Sequence, residues 1–235
     1  MQANEPALRR VLLALDAAGP SPSAISFAVK LAARFDADLD TMLLTQAELA
    51  RAAALPFASE ISLLAGLERR LDSAVMQRSL ESLAQRVRTT ITEAAGPVRV
   101  RWSLHLAAWP DWEQRLAVPT AGSLFVLSHP PAHTGSRYPP GQDRAIVCVV
   151  DHDTSSGQAA LEIATALDPE ATLVPVTGSA VDPGARDDRG PDRLLARLER
   201  LRPATVVLPS SWYAAHASRL RPALARLDCN LLLVP

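Results

Sequence analysis

Aromatic residues make up only 4% of this 235-residue chain, so its core has to be assembled from Leu, Val, Ile and Ala. Lysine is almost missing: Lys30 is the only one, and every other basic residue is an arginine. Net charge is missing too, at −1. That balance excludes a global electrostatic attraction to nucleic acid or to an anionic membrane surface. Cysteine occurs twice, as Cys148 and Cys229, each inside a short apolar run. Two such thiols do not make the disulfide framework of a small secreted domain and read as buried free thiols. No apolar run approaches membrane-spanning length. Arg9 and Arg10 precede Val11–Leu15, but Asp16 closes that run too early for the apolar region of a signal peptide. The expectation is a cytoplasmic protein without a membrane or nucleic-acid partner. Metalloprotease and paired-cysteine motifs are absent, as is the nucleophile elbow of serine hydrolases.

What is present is a repeated α/β pattern. In "RRVLLALDAAGPSPSAISFAVKLAARFDADLDTMLLT", Val11–Leu15 reads as a strand buried on both faces, with Asp16 at its carboxyl end. Ser21 or Ser23 can cap the next helix, and Pro22 suits its first turn. Ile25, Ala28, Val29, Ala32 and Phe35 share one helix face. A second strand follows at Leu39–Leu44, completing a right-handed β-α-β unit. The pattern returns past the midpoint in "CVVDHDTSSGQAALEIATAL". Ile146–Val150 is the strand, Asp151 its acidic end, Thr154 or Ser155 the helix cap, and Ala160, Ile163, Ala164 and Leu167 the helix face. Two units with matched acidic ends read as an internal duplication. The competing reading is a single sheet that simply alternates strands and helices.

The halves then diverge. Residues 46–72 form an insertion whose apolar stretch "LPFASEISLLAGL" would cover a sheet edge or build a dimer contact. A long helix is expected over about 73–95, striped by Met76, Leu80, Leu83, Val87, Ile91 and Ala94. "VRVRWSLHLA" alternates through Val98, Val100, Trp102 and Leu104 and reads as a strand near the sheet edge. "SLFVLS" (123–128) is a buried strand, and the Pro/Gly-rich 129–144 reads as a connection between lobes. In the second half, 177–192 is a polar loop. "ATVVLPS", a helix over about 213–227 and "NLLLVP" close the chain. Arg193, Arg197, Arg200 and Arg202 are interrupted by Asp192 and Glu199 and read as a solvated helix face.

These segments, with the ending "LRPATVVLPSSWYAAHASRLRPALARLDCNLLLVP", resemble the universal stress protein family. The resemblance implies an α/β fold of two Rossmann-like lobes in tandem, of the adenine nucleotide alpha hydrolase type. Each lobe is a reduced form of the family's 3-2-1-4-5 parallel sheet. The first lobe spans 1–135 and includes the 46–72 insertion; the second, shortened lobe spans 143–235. The first lacks the last helix and strand of the unit, and the second lacks the middle helix and strand. Nucleotide-binding members carry a loop of the type G-x-x-G-x9-G-[ST], whose glycines let backbone N–H groups approach phosphates. Here the corresponding stretches are "LSHPPAHTGSRYPPG", crowded with N–H-deficient prolines, and "LPSSWYAAHASRLRP", without glycine between Ser210 and Arg221.

The candidate ligand residues are therefore Asp16, Asp151, Ser128, His129, Ser210 and Ser211. The resemblance implies that an Asp at the end of the first strand contacts the adenosine part of a nucleotide. The residues alone, without a glycine loop, favour each carboxylate accepting turn N–H bonds or capping the following helix. Ser128, His129, Ser210 and Ser211 end the two late strands and could hold a small anion, with Trp212 and Tyr213 either stacking on a base or covering the core or a partner surface. Asp151, His152 and Asp153 read as a solvated turn rather than a metal site, and the prolines between His129 and His133 oppose a metal-binding helix. The expectation is a non-enzymatic stress-type protein with no cofactor and a vestigial nucleotide site. It would act on an unknown protein partner or by self-association, for instance as a homodimer. The alternative is an ATP- or AMP-binding protein with slow phosphohydrolase activity.

Overall fold

Val11, Leu13 and Leu15 point to one side of the first strand and Ala14 to the other, all of them buried. A strand that is apolar on both sides needs a cover on both faces, and the rest of the architecture supplies it. The computed structural model describes residues 8–17, 21–45, 55, 59–61, 66, 68–70, 73–108, 122–128, 146–150, 154–175, 191–224, 226–227 and 229–235.

In chain order, β1 (Arg10–Asp16), α1 (Pro22–Arg34) and β2 (Asp38–Thr45) form the first β-α-β unit. Ser21 caps α1, its hydroxyl accepting from the Ala24 N–H, with Pro22 in the first turn. Two short strands, β3 (Ser59–Ile61) and β4 (Glu68–Arg70), pair antiparallel within the insertion. Helix α2 (Ser73–Ala95) ends in a 3-10 turn (Gly96–Val98), and Arg99 takes a left-handed conformation at φ 55°. That turn removes Val98 from the expected strand, and β5 starts only at Trp102 (Trp102–Ala108). Strand β6 (Ser123–Ser128) completes the first half. The second half runs β7 (Ile146–Val150), α3 (Ser155–Leu167), β8 (Thr172–Pro175), α4 (Pro191–Leu201), β9 (Thr205–Pro209), α5 (Ser210–Leu224) and β10 (Asn230–Val234).

Eight of these strands make one sheet, in the order β5-β2-β1-β6-β10-β9-β7-β8. The fold is thus mixed α/β with a mostly parallel sheet. All neighbours are parallel except β6 and β10, which meet antiparallel at the centre with Val126 opposite Leu232. Strands β1 and β7 hold equivalent places. Each lies between the strand to which its own helix leads, β2 or β8, and the next inward strand, β6 or β9. In the 3-2-1-4-5 numbering, the first half supplies 3-2-1-4 and the second supplies 5-4-1-2. Among the described residues, the strand absent from each half is the one expected. The duplication and the single sheet, read from sequence as competitors, coexist: two reduced units share one sheet.

Two apolar layers hold it. Helices α1, α2 and α3 cover one face, where Ile25, Ala28, Ile91 and Ala160 pack with Val11, Leu13, Leu39, Val126, Cys148 and Leu232. Helices α4 and α5 lie on the other, where Leu194, Leu198, Tyr213 and Leu220 pack with Phe125, Val149, Leu208 and Leu233. Both layers take residues from both halves, so the core runs through the junction. The stripe on α2 is only partly used. Ala84, Val87, Ile91 and Ala95 are buried, whereas Met76, Leu80 and Leu83 are half-exposed. A 23-residue helix is about 34 Å long, against roughly 23 Å for the strand it leads to, so its first turns overhang the sheet. Among the described residues, no helix is long and apolar enough to cross a membrane.

Candidate ligand sites at the strand ends

Parallel α/β sheets bind ligands beyond the carboxyl ends of their strands, where the order reverses. Because β6 and β10 are antiparallel, the carboxyl ends of the first half point to one edge of the sheet and those of the second half to the opposite edge. The six candidate residues therefore do not form one site. They divide into two sets on opposite edges, a separation imposed by one antiparallel joint.

At the first edge, Asp16 ends β1 beside Leu44 of β2, and Ser128 ends β6 in register with Leu15. These two come from neighbouring strands at the order reversal. Asp16 is half-buried. It does not cap α1, because Ser21 does so, which removes one of the structural roles the sequence allowed. Ser21 and Ser23 share a hydrogen bond of 2.8 Å at the same helix start. His129 lies outside the described residues.

At the second edge, Asp151 and its neighbours His152 and Asp153 lie outside the described residues. Thr154 caps α3, its Oγ1 accepting the Gly157 N–H at 3.1 Å. The helix cap is again a hydroxyl, not the strand-end carboxylate. Ser156 Oγ lies 3.4 Å from Thr154 Oγ1 and 3.4 Å from Ser211 Oγ. That last contact joins the first turn of α3 to the first turn of α5. Ser156 was not legible as part of this edge, because nothing local couples residues so far apart in sequence.

The stretch after β9 departs most from expectation. The sequence reads as a loop before a helix at about 213, but α5 begins at Ser210, directly after Pro209. Ser210 is buried and Ser211 exposed. Trp212 and His216, one turn apart, stack with ring centroids 4.6 Å apart, and His216 Nδ1 lies 2.9 Å from the Trp212 carbonyl. Tyr213 is buried in the second apolar layer, so it covers core. In place of the expected loop, this strand end carries the first turn of a helix, whose carbonyls enter the helical hydrogen bonds.

The chemistry on offer is hydroxyl-rich. No group of three or more His, Cys, Asp or Glu side chains among the described residues is placed to hold a metal. Cys148 is fully buried, and burial pushes its thiol up to about 12, far from the range of a reactive thiolate. Both cysteines are free thiols, with Cys229 half-exposed.

No protein-family model matches this chain, and no curated protein matches it. Among solved structures, a universal stress protein from Archaeoglobus fulgidus DSM 4304 is similar over 95% of both chains, with a TM-score of 0.47 and 10% sequence identity.

Proposed function

We propose that this protein is a non-enzymatic stress-response protein of the universal stress protein type. In this reading it works by binding a partner or by self-association, and its nucleotide site is vestigial. The observation that carries the reading is the start of α5 at Ser210. A phosphate cradle of the kind the resemblance implies needs a glycine loop that brings further backbone N–H groups around the ligand at the helix start. Here the corresponding residues are wound into a helix straight after the strand, with no glycine to reopen it. The sequence resemblance to the family and the two complementary reduced units support the stress-protein class. The split of Asp16 and Ser210/Ser211 to opposite edges counts against one composite adenine site.

The test is thermal unfolding with and without millimolar ATP or AMP, combined with native mass spectrometry of the purified protein. A ligand present at a hundred times its dissociation constant adds about 2.7 kcal/mol. The expected result is no shift in Tm and no co-purified nucleotide. A shift that Asp16→Ala abolishes would establish the alternative instead, an adenine-nucleotide binder whose site is the β1–β6 switch point.

A further inference from the structure

The two ends of the eight-stranded sheet are not alike. Strand β8 is a short edge that finishes in Pro175, a residue that blunts strand pairing. Strand β5 is longer and has neither proline nor charge between Trp102 and Ala108. Its polar neighbours pair with β2, although the Arg101 side chain stays 84% exposed. Arg101 pairs with Asp38 at 2.7 Å, and Ser103 donates to Asp40 at 2.7 Å. Leu106 is 55% exposed, the most exposed of the large apolar residues described. His105 beside it is exposed as well.

The backbone fixes what the outer side of β5 offers. The Leu39 N–H donates to the Arg101 carbonyl, and Leu39 is in register with Trp102. In a parallel pair the peptide groups alternate in direction. The N–H and C=O groups of Trp102, Leu104, Leu106 and Ala108 therefore face away from β2, and they have no strand partner among the described residues.

We propose that this edge pairs antiparallel with β5 of a second copy of the chain, about a two-fold axis at His105. The proposal rests on the self-association branch of the preceding reading and gives it a surface. The occupant is a second copy because the strand is complementary to itself. With the axis at His105, Leu104 lies opposite the second copy's Leu106, and Trp102 opposite its Ala108. Every outward-facing N–H and C=O then finds a partner in hydrogen-bonded pairs. Leu106, bare in the single chain, is laid beside an apolar residue of the same face, since cross-strand neighbours share a side. The joint repeats within the assembly what β6 and β10 do within the chain, and the sheet becomes continuous across the dimer.

The experiment is a cysteine placed on the axis. In an antiparallel pair, the residue facing itself across the axis is in a non-hydrogen-bonded position, with Cα atoms about 4.5 Å apart. A disulfide bridges separations of about 4.4–6.8 Å. His105→Cys, in a Cys229→Ser background that removes the half-exposed native thiol, should form a covalent dimer under mild oxidation. Leu173→Cys in the same background, on the opposite edge, should not. By sedimentation velocity, Leu106→Lys should weaken dimerisation by more than about tenfold, the equivalent of 1.4 kcal/mol, while far-UV circular dichroism stays unchanged. Failure of the disulfide overturns the proposal. A wild-type protein that is monomeric across the concentration series overturns it too, and leaves only the partner-binding branch of the functional reading. A dimer that survives Leu106→Lys also overturns it, but keeps self-association through another surface.

Discussion

Leu232→Ala tests whether the two halves are one cooperative structure. Leu232 is fully buried. It sits on β10 between Val126 of β6 and Val207 of β9, at the only antiparallel joint of the large sheet among the described residues. Its side chain belongs to the apolar layer that also contains Val11, Leu13, Ala160 and Cys148. Truncation to alanine removes buried methyl groups and leaves a cavity, at a cost of about 2–5 kcal/mol. The site is central in an eight-stranded sheet with little freedom to collapse, which favours the upper part of that range. For a chain of this size each kcal/mol lowers Tm by about 2–4 °C, so a fall of roughly 10 °C is expected.

The informative quantity is which amides lose protection. Hydrogen exchange read by mass spectrometry gives the opening free energy of each strand. In a shared sheet, β1 and β2 lose as much protection as β7 and β9, and calorimetry shows one transition moved as a whole. If Leu232→Ala weakens β7–β10 and leaves β1, β2 and β5 at their original protection, the halves are independent and the argument from the common core fails. Deleting 230–235 is the harsher form of the same test, since it would open β6 and β9 together at the middle of the sheet.

Thr41 is fully buried, and its hydroxyl finds no hydrogen-bond partner among the described residues. A buried unsatisfied group costs about 1–3 kcal/mol, so Thr41→Val, nearly the same shape, should raise the unfolding midpoint in urea, whereas a lowered midpoint would reveal a partner for that hydroxyl. The Cys148 thiol titrates near 12 in the folded chain, against an ordinary value of 9.0. Because the folded value is the higher one, its contribution is complete below about pH 9 and is lost as pH rises toward 12, at up to about 1.4 kcal/mol per pH unit. The alkaline fall in stability should therefore be shallower in Cys148→Ala than in wild type, and parallel curves would refute the assignment. In the native protein a thiol reagent at neutral pH should label Cys229 and spare Cys148; rapid labelling of both would show that the sheet opens at β7.

The elements legible in the sequence were those whose signal is local. Val11–Leu15 is apolar without alternation, so both its faces had to be covered, and Ser21–Pro22 marked the helix start beside it. The same logic located Ile146–Val150 and the Thr154 cap. Periodicity misled on α2 because it reports amphipathicity, not contact: Met76 and Leu80 continue the stripe past the apolar layer, whereas Leu83 still packs on it. Val98 and Val100 continue the alternation of β5, yet the 3-10 turn at Gly96–Val98 and the left-handed Arg99 delay the strand. The start of α5 was missed because two serines after a proline are turn residues by composition. The countersignal was the helical spacing of Tyr213, Leu220 and Leu224, which only buried packing can confirm.

The pairing of β6 with β10 has no local signature at all, and it governs the candidate sites. "SLFVLS" and "NLLLV" are each apolar enough to sit mid-sheet against any neighbour, in either direction. Had the two strands met in parallel, all the strand ends would share one edge, and Asp16, Ser128, Ser210 and Ser211 would belong to one rim. Meeting antiparallel, they make two rims that face apart. The residue types that suggested a site were readable one by one, but their distribution depends on a long-range choice of strand direction. That same choice shows how this sheet accepts a free edge: through antiparallel apolar contact between strands distant in sequence. Among the described strands of this sheet it is made between β6 and β10. At β5 the groups needed to make it again, between copies, are in place: outward peptide groups, no charge, no proline, and an exposed leucine.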